Sequence, residues 1–580
     1  MADLSLIPLD DYVGDDWYPG YEPRRGWQHY MDMMRPFTKA DEGELWFHES
    51  LHWSRGVVPG GIDLLEDVVV WGTQLGALLL PLPPGNGIKG RFAGTHVYGG
   101  QISVGSEWEM QVRGARFGRQ LGPYLQNFRD IWGSYEKELK DDFDYFVGLD
   151  VAALDYDGLR QALSAAHAYH QRSMFIHFEV MYSLLGNYLA FYELNKELGL
   201  DPARAAVYLT GDKTKFMEAD EELWKLARRS RELKVDGTVL AGDVTLVPGE
   251  LQKSTNGRLW WTDLQRFLNV YGYRIDEVAC IELAPWIDRP IPPLNNIRTL
   301  LGQPADHDFG AKHRQMIEGR DQAIEEARRH VGGGNKLQQF NAGLASCQQA
   351  NFSWWNDEHN FHIDQRSHIP AHWVTQALGR RLAADGHLKE PEDVYFLFTP
   401  ELFEGLAGDA DTWKRLRGWV PARRDYYNHW LLKAPDMPHL LGTIPESIDD
   451  PIMLEIFGLY PHFLEAVRRG ASSSNELHGL AASGGVVEGV ARVLTSISQI
   501  SELQAGEILV CNYTTPDWTP VFGVIKACVC DGGGSLTHAA IVSREYGIPC
   551  VVGTAAATHK ISTGDRVRVD GDHGLVTVFK

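Results

Sequence analysis

The run from Val524 to Pro549 constrains the fold of this chain more than any other stretch. Val524-Ile525 and Ala527-Cys528-Val529-Cys530 are apolar and β-branched, which predicts a buried strand. Asp531 and three glycines, Gly532, Gly533 and Gly534, follow. Glycine admits positive φ, so the backbone can turn tightly there and present successive N–H groups. Thr537 stands where a helix N-cap is needed, and Ala539 to Tyr546 predicts one short helix closed by Gly547 and Pro549. His538 therefore falls at a helix N-terminus beside a nest of backbone donors, where negative charge is stabilised by the end amides and the helix dipole. A histidine there is badly placed as a cation and well placed to carry a phosphoryl group. We read His538 as a nucleophile that forms a phosphohistidine; the bland alternative is a capping histidine in a structural turn.

At 580 residues, 44% of them hydrophobic, the chain has the material for two or more domains. No apolar run reaches the length of a membrane span. Met1-Ala2-Asp3-Leu4-Ser5 lacks the basic and apolar regions of a signal peptide, so a cytoplasmic location is expected. The six cysteines are scattered, and Cys528-Val529-Cys530 lies within a predicted strand, so no disulfide framework, zinc ribbon or other metal site is expected. A formal net charge of −22 argues against nucleic acid and anionic membranes as partners. No GxxxxGK[ST] phosphate loop occurs.

Along the chain, residues 1–150 read as irregular and aromatic-rich, with turn signals at Tyr18-Pro19-Gly20 and Pro83-Pro84-Gly85. Within them His48-Glu49-Ser50-Leu51-His52 fits H-E-x-x-H, which on a helix would put two imidazoles on one face for zinc, with Glu66 as a loose third ligand. Residues 151–235 read as helical, with Leu159, Leu163, Ala166, His167 and His170 at helical spacing, continued by Met174, Phe178 and Met181. Residues 351–373 interleave ionisable groups with aromatic rings: Trp355, Glu358, His359, His362, Asp364, Arg366 and His368. Such a mixture suits a pocket that holds a flat apolar group and handles its proton, or a hydrogen-bonded structural network. Gly470 to His478 is a flexible linker by composition. Beyond it, short strands are predicted at 486–494, 507–511, 524–530, 550–553, 566–570 and 575–579.

The segments Gly532-Gly533, Thr537-His538-Ala539-Ala540-Ile541, Arg544-Glu545, Gly547-Ile548-Pro549 and Val551-Val552-Gly553 resemble the mobile phosphohistidine domain of the phosphoenolpyruvate-utilising enzymes. Thr514 to Pro520 and Val569-Asp570-Gly571 extend that resemblance. Segments around His48 to Arg55, Phe267 to Arg274, Leu283 to Pro290 and Glu358 to Asp364 resemble the acceptor and linker regions of the phenylphosphate synthase and rifampin phosphotransferase branch. The resemblance implies an α+β, α/β multidomain chain: a large, mostly helical acceptor domain (1–469), a linker (470–478) and a small swivelling β/α domain (479–580). It implies His538, Thr537 and Arg544 as catalytic residues and Gly532, Gly533 and Gly534 as the loop that cradles the phosphoryl group. Acceptor chemistry would fall to His52, His359, Glu358 and Asp364, with His48, Arg55, Trp355, His362 and Arg366 lining the substrate site. Neither an ATP-grasp domain nor a phosphoenolpyruvate barrel is recognisable in the sequence. The resemblance therefore implies a separate ATP-grasp subunit that binds ATP and Mg²⁺, charges His538 and releases AMP and phosphate. The acceptor is expected to be a phenol such as p-cresol; an antibiotic acceptor, a phosphorelay carrier and a zinc hydrolase stay open as alternatives.

Overall fold

The computed structural model describes the chain except residues 1–5, 14–16, 22–33, 82–84, 276–279, 303, 305–307, 309, 447, 449, 470–474, 516–517 and 580. The proline turn at 83–84 and the first part of the expected linker thus lie outside the described residues. Two compact units emerge, each assembled from separated stretches of sequence. The first comprises residues 1–183, 277–284 and 362–445, and the second residues 184–276, 285–361 and 446–580.

The first unit contains a six-stranded sheet. Its strands are β1 (Leu6–Ile7), β2 (Met34–Pro36), β3 (Leu45–His48), β4 (Gly85–Ala93), β5 (His96–Ser103) and β6 (Leu440–Thr443), in the order β1-β6-β3-β5-β4-β2. Trp46, Tyr98, Phe37 and Leu441 bury one face of it. The expectation that residues 1–150 are irregular is corrected here. Besides five of these strands they hold two helices of 20 residues, Glu107–Gln126 and Phe128–Val147. The first helix is started by Ser106, whose hydroxyl accepts from the Glu109 amide. Strands β1, β2 and β3 escape a pattern reading because they are short, and β4 and β5 because glycines interrupt them; β6 arrives from some 400 residues away, as Thr443 Oγ1 donates to the Glu42 carbonyl at 2.8 Å, a separation of 401 residues.

In the second unit, the described chain supports the expected small β/α module closely. Strands β7 (Glu476–His478), β8 (Leu480–Ser483), β9 (Val486–Val493), β10 (Ile508–Cys511), β11 (Ala527–Cys530), β12 (Cys550–Val552), β13 (Arg566–Asp570) and β14 (Leu575–Phe579) form one sheet, ordered β7-β14-β13-β9-β10-β11-β12-β8. The central pairs β9–β10, β10–β11 and β11–β12 are parallel. Strands β10, β11 and β12 are buried along their whole length, which is why they read as continuous apolar runs rather than alternating ones. The last three residues of the expected linker are strand β7, paired with β14. The helices that matter below are α1 (Tyr156–Glu197), α2 (Lys215–Glu232), α3 (Ile291–Leu301), α4 (Thr519–Phe522) and α5 (His538–Tyr546). A helical core of this unit is built from Leu223, Trp224, Trp260, Trp286, Leu294 and their neighbours. Among the described residues, no helix is long and apolar enough to cross a membrane.

Candidate functional site

His538 is the first residue of α5, at the end of a glycine turn that leaves the buried strand β11. Its ring is 6% exposed. Both nitrogens are engaged by hydroxyls: Thr514 Oγ1 lies 2.9 Å from Nδ1 and Thr519 Oγ1 lies 3.1 Å from Nε2. A neutral imidazole has one N–H donor and one acceptor nitrogen, so one threonine accepts and the other donates. Burial pushes the His538 pKa down to about 3, so the ring is neutral and one nitrogen keeps its lone pair at working pH. Phe522 packs edge-on against the ring at 5.9 Å. The two threonines were within reach of sequence reading, since they bracket the Thr514 to Pro520 segment, but no local signal marked them as imidazole partners.

Thr537 holds the N-cap position, yet its hydroxyl donates to the Gly534 carbonyl at 2.8 Å rather than to a helix amide. The helix closes at Gly547 in the left-handed conformation, φ 61°. Arg544 is a clamp: Nε donates to the Ala482 carbonyl at 2.8 Å and a terminal nitrogen donates to the Ser535 carbonyl. The glycine loop is pressed against the segment that follows the helix Pro451–Glu455. Gly534 N donates to Ile456 O at 3.3 Å, Leu536 N donates to Glu455 O at 3.0 Å, and the Ser535 hydroxyl donates to the Glu455 carboxylate. A Cβ on Gly534 would sit 2.3 Å from the Glu455 carbonyl oxygen. Gly534→Ala must therefore displace that backbone, and we expect it to cost about 1–3 kcal/mol of stability, as overpacking does. Thermal or denaturant unfolding checks this; an unchanged midpoint would show that the loop does not hold this contact in solution.

Beyond the loop, α5 is tied to the helical part of its own unit. Tyr546 donates to Asp220 at 2.9 Å, and the Glu545 carboxylate accepts from the Gly211 amide at 3.3 Å. Asp220 and Asp357 are pushed up to about 7 and Glu545 to about 8, in each case chiefly by burial. Helix α4 packs against α2 and α3. These carboxyls were not singled out from sequence, because nothing in the local pattern shows that residues 220, 357 and 545 converge.

The expected acceptor residues divide between the units. His48, His52, Arg55, His362, Asp364 and Arg366 belong to the first; Trp355, Glu358 and His359 belong to the second. His48 ends strand β3 and stacks on Tyr98 with centroids 5.0 Å apart, while His52 lies in a turn with Nδ1 2.6 Å from Glu49 Oε1. The H-E-x-x-H stretch is thus strand and turn, not helix, and the i,i+4 convergence that the zinc reading needs is not formed. Burial pulls His52 down, but the Glu49 carboxylate and, behind it, Asp364 lift it above the ordinary histidine value. Asp364 also bonds His177 Nδ1 at 3.0 Å. Arg55 lies within electrostatic reach of the buried Glu282 carboxyl. His362 Nε2 is 3.4 Å from Glu136, and Arg366 lies over the Phe143 ring at 5.7 Å. In the second unit Glu358 accepts from the Lys215 amide at 2.9 Å, at the start of α2, and His359 stacks on Trp355 at 4.2 Å with Nδ1 3.2 Å from the Trp355 carbonyl.

With this geometry in hand, the comparisons with known proteins fall into place. Residues 503–574 match the mobile domain of the PEP-utilising enzymes, and residues 175–354 match the fourth domain of rifampicin phosphotransferase. The chain is 28% identical over 556 residues to chondramide synthase cmdD of Chondromyces crocatus, covering 93% of this chain and 14% of that protein. It is 30% identical over 329 residues to rifampicin phosphotransferase of Bacillus cereus, covering 54% and 34% of the two chains. Over 100 residues it is 51% identical to phosphoenolpyruvate synthase of Pyrococcus furiosus, covering 17% and 12%. The chain spans less than half the length of each of these relatives. Through the domain that sets His538 at the head of α5, the chain is similar to the PEP-utilising enzymes.

Proposed function

We propose that this chain is a phosphotransferase that carries a phosphoryl group on His538 and passes it to a phenolic hydroxyl, such as that of phenol or p-cresol, giving an aryl phosphate. The observation that carries the reading is the neutral, doubly hydrogen-bonded His538 at the N-terminus of α5. A ring held neutral keeps a nucleophilic lone pair, and the helix start favours the charge that a phosphoryl group brings. The mobile-domain match over residues 503–574 supports it.

His538 is enclosed in the described conformation, so both charging and discharge require the loop to open. Opening would release the Gly534 and Leu536 amides from the Ile456 and Glu455 carbonyls and let them receive phosphoryl oxygens. We propose that ATP with Mg²⁺, held by a separate ATP-grasp subunit, supplies the phosphoryl group with release of AMP and phosphate. A phenol suits the acceptor role because its pKa near ~10 makes it easier to deprotonate than an alcohol. A second reading has its own support: the match of residues 175–354 to the fourth domain of rifampicin phosphotransferase favours a larger hydroxylated antibiotic as acceptor.

The test is to combine the chain with a co-encoded ATP-grasp protein, ATP and Mg²⁺, and a panel of phenols and rifamycins. We expect phosphorylated acceptor and AMP in the complete mixture, and no ATP turnover by the chain alone. Acceptor phosphorylation by the pure single chain would contradict the two-subunit reading, and a response to rifamycins alone would replace the phenol.

A further inference from the structure

The first unit holds a buried arrangement along helix α1, of which only Asp364 and its bond to His177 have been placed so far. Helix α1 carries His170 and His177, seven residues apart and so on one face, two turns from each other. Each imidazole is held at Nδ1 by an aspartate from a π-helical segment. His170 Nδ1 lies 3.1 Å from Asp67 Oδ2, at the start of the π-helix Asp67–Gln74. His177 Nδ1 lies 3.0 Å from Asp364, the last residue of the π-helix Asn360–Asp364. Helical bulges of this kind are rare and are frequently found at functional sites. Asp67 is further fixed by Gln171 Nε2 at 3.2 Å on its other oxygen.

The His170 pair has an unused face. Its ring is 0% exposed and its Nε2 has no hydrogen-bond partner among the described residues. Glu66 Oε1, one residue before Asp67, is likewise buried without a partner among the described residues. Buried polar atoms of this kind are nearly always satisfied, so each calls for a polar partner that the described residues do not supply. An Asp accepting from Nδ1–H fixes the tautomer that leaves Nε2 as a proton acceptor. Burial and the Asp63 and Asp67 charges push Glu66 up to about 8, so its carboxyl is protonated at neutral pH and able to donate.

We propose that the acceptor hydroxyl binds at His170, which takes the hydroxyl proton at Nε2 as phosphoryl transfer proceeds, with Asp67 as the positioning residue. The inference rests on the phosphotransferase reading above and names the acceptor site within it. In the step, the P–N bond to His538 breaks and its electron pair stays on the imidazole. The P–O bond to the acceptor oxygen forms, and the hydroxyl proton moves to His170 Nε2. Glu66 donates a hydrogen bond to the acceptor. The chemical class is a small molecule with an aromatic hydroxyl, acidic enough for an imidazole to assist late in the transfer.

The test separates this site from the carrier histidine. His170→Gln retains a donor for Asp67 and removes the base. The chain is charged, freed of ATP and mixed with p-cresol. We expect His170→Gln to leave charging of His538 unchanged and to slow discharge by ~10²- to 10⁴-fold, the usual worth of a general base, in turnover rather than in KM. Asp67→Asn should slow discharge and alter its pH profile, and Asp67→Glu should restore part of both. Discharge of His170→Gln at the wild-type rate would overturn the proposal. A second arm needs no phosphoryl donor: p-cresol added to chain carrying isotope-labelled histidine should shift the His170 resonance, assigned by its loss in His170→Gln. No shift at saturating p-cresol would also overturn the proposal. Failure of His538 to charge would instead remove the phosphotransferase reading, and the resonance arm would still decide whether His170 binds the phenol.

Discussion

His538→Ala is expected to abolish phosphoryl labelling of the chain and all transfer to an acceptor, a loss of several orders of magnitude, because a covalent carrier has no substitute once the nucleophile is gone. The variant also strands the Thr514 and Thr519 hydroxyls, which now face the ring at 2.9 and 3.1 Å. An unsatisfied buried polar group costs about 1–3 kcal/mol, so His538→Ala should be measurably less stable. His538→Gln separates the two effects. Its amide offers one donor and one acceptor to the same threonines, so stability should recover while labelling stays at zero. The pair is read by phosphoryl incorporation under alkaline conditions beside thermal unfolding. Retained aryl phosphate formation in either variant would remove His538 as the carrier.

The second large effect is a dependence on pH set by the carboxyls that hold α5. Asp220 faces the Tyr546 hydroxyl, Arg274 and Asp357; Asp357 faces Thr214; Glu545 faces the Gly211 amide, Asp212, Asp357 and Arg544. The two arginines and the Tyr546, Thr214 and Gly211 donors favour the charged forms, but burial dominates at all three acids. A carboxyl with a raised folded pKa binds its proton more tightly in the fold than in the unfolded chain. Its stabilisation is fully present below the unfolded value near ~4 and is lost as pH rises through the folded value. For Asp220 and Asp357 that window closes near 7, and for Glu545 near 8. Across it each proton contributes a slope on the order of 1.4 kcal/mol per pH unit. We therefore expect the unfolding free energy of the wild-type chain to fall more steeply between about pH 5 and pH 8 than that of Asp220→Asn/Asp357→Asn, which keeps hydrogen-bonding groups without the charge. Protection of the α5 amides, corrected for the intrinsic pH dependence of exchange, should fall more over the same window in the wild type than in the variant. Parallel pH profiles for the two proteins would show that these acids are ionised in the fold and do not hold the helix.

Much of the small β/α domain was legible because its signals are local. The β10, β11 and β12 runs are short, continuous and apolar, and the helix from His538 is bounded by Thr537 and a left-handed Gly547. The rest was hidden by distance along the chain. Strand β3 pairs with β6, so Leu45 meets Gly442, and no pattern within either segment announces the other. Asp67 and His170 are 103 residues apart, and His177 and Asp364 are 187 apart. His170 read as one more position on a helical stripe until its aspartate arrived from elsewhere, and His177 was not singled out at all. The opposite error occurred at His48 to His52, where a short motif suggested a helical zinc site. The partners that decide the matter, Tyr98 against His48 and Glu49 against His52, make it strand and turn. Residues 355–364 carried a real polar cluster, but it serves two units: Glu358 accepts from the first amide of α2, while Asp364 bonds His177.

The central claim is that His538 carries a phosphoryl group. It is tested most directly by isolating the chain at alkaline pH after incubation with ATP and the proposed ATP-grasp partner, digesting it, and locating phosphate by mass spectrometry and phosphorus NMR. The account predicts one acid-labile, base-stable phosphoamidate, confined to the peptide that contains His538 and discharged on adding phenol. A phosphoryl group found on another residue, or none on His538 in a complex that still forms aryl phosphate, would contradict it.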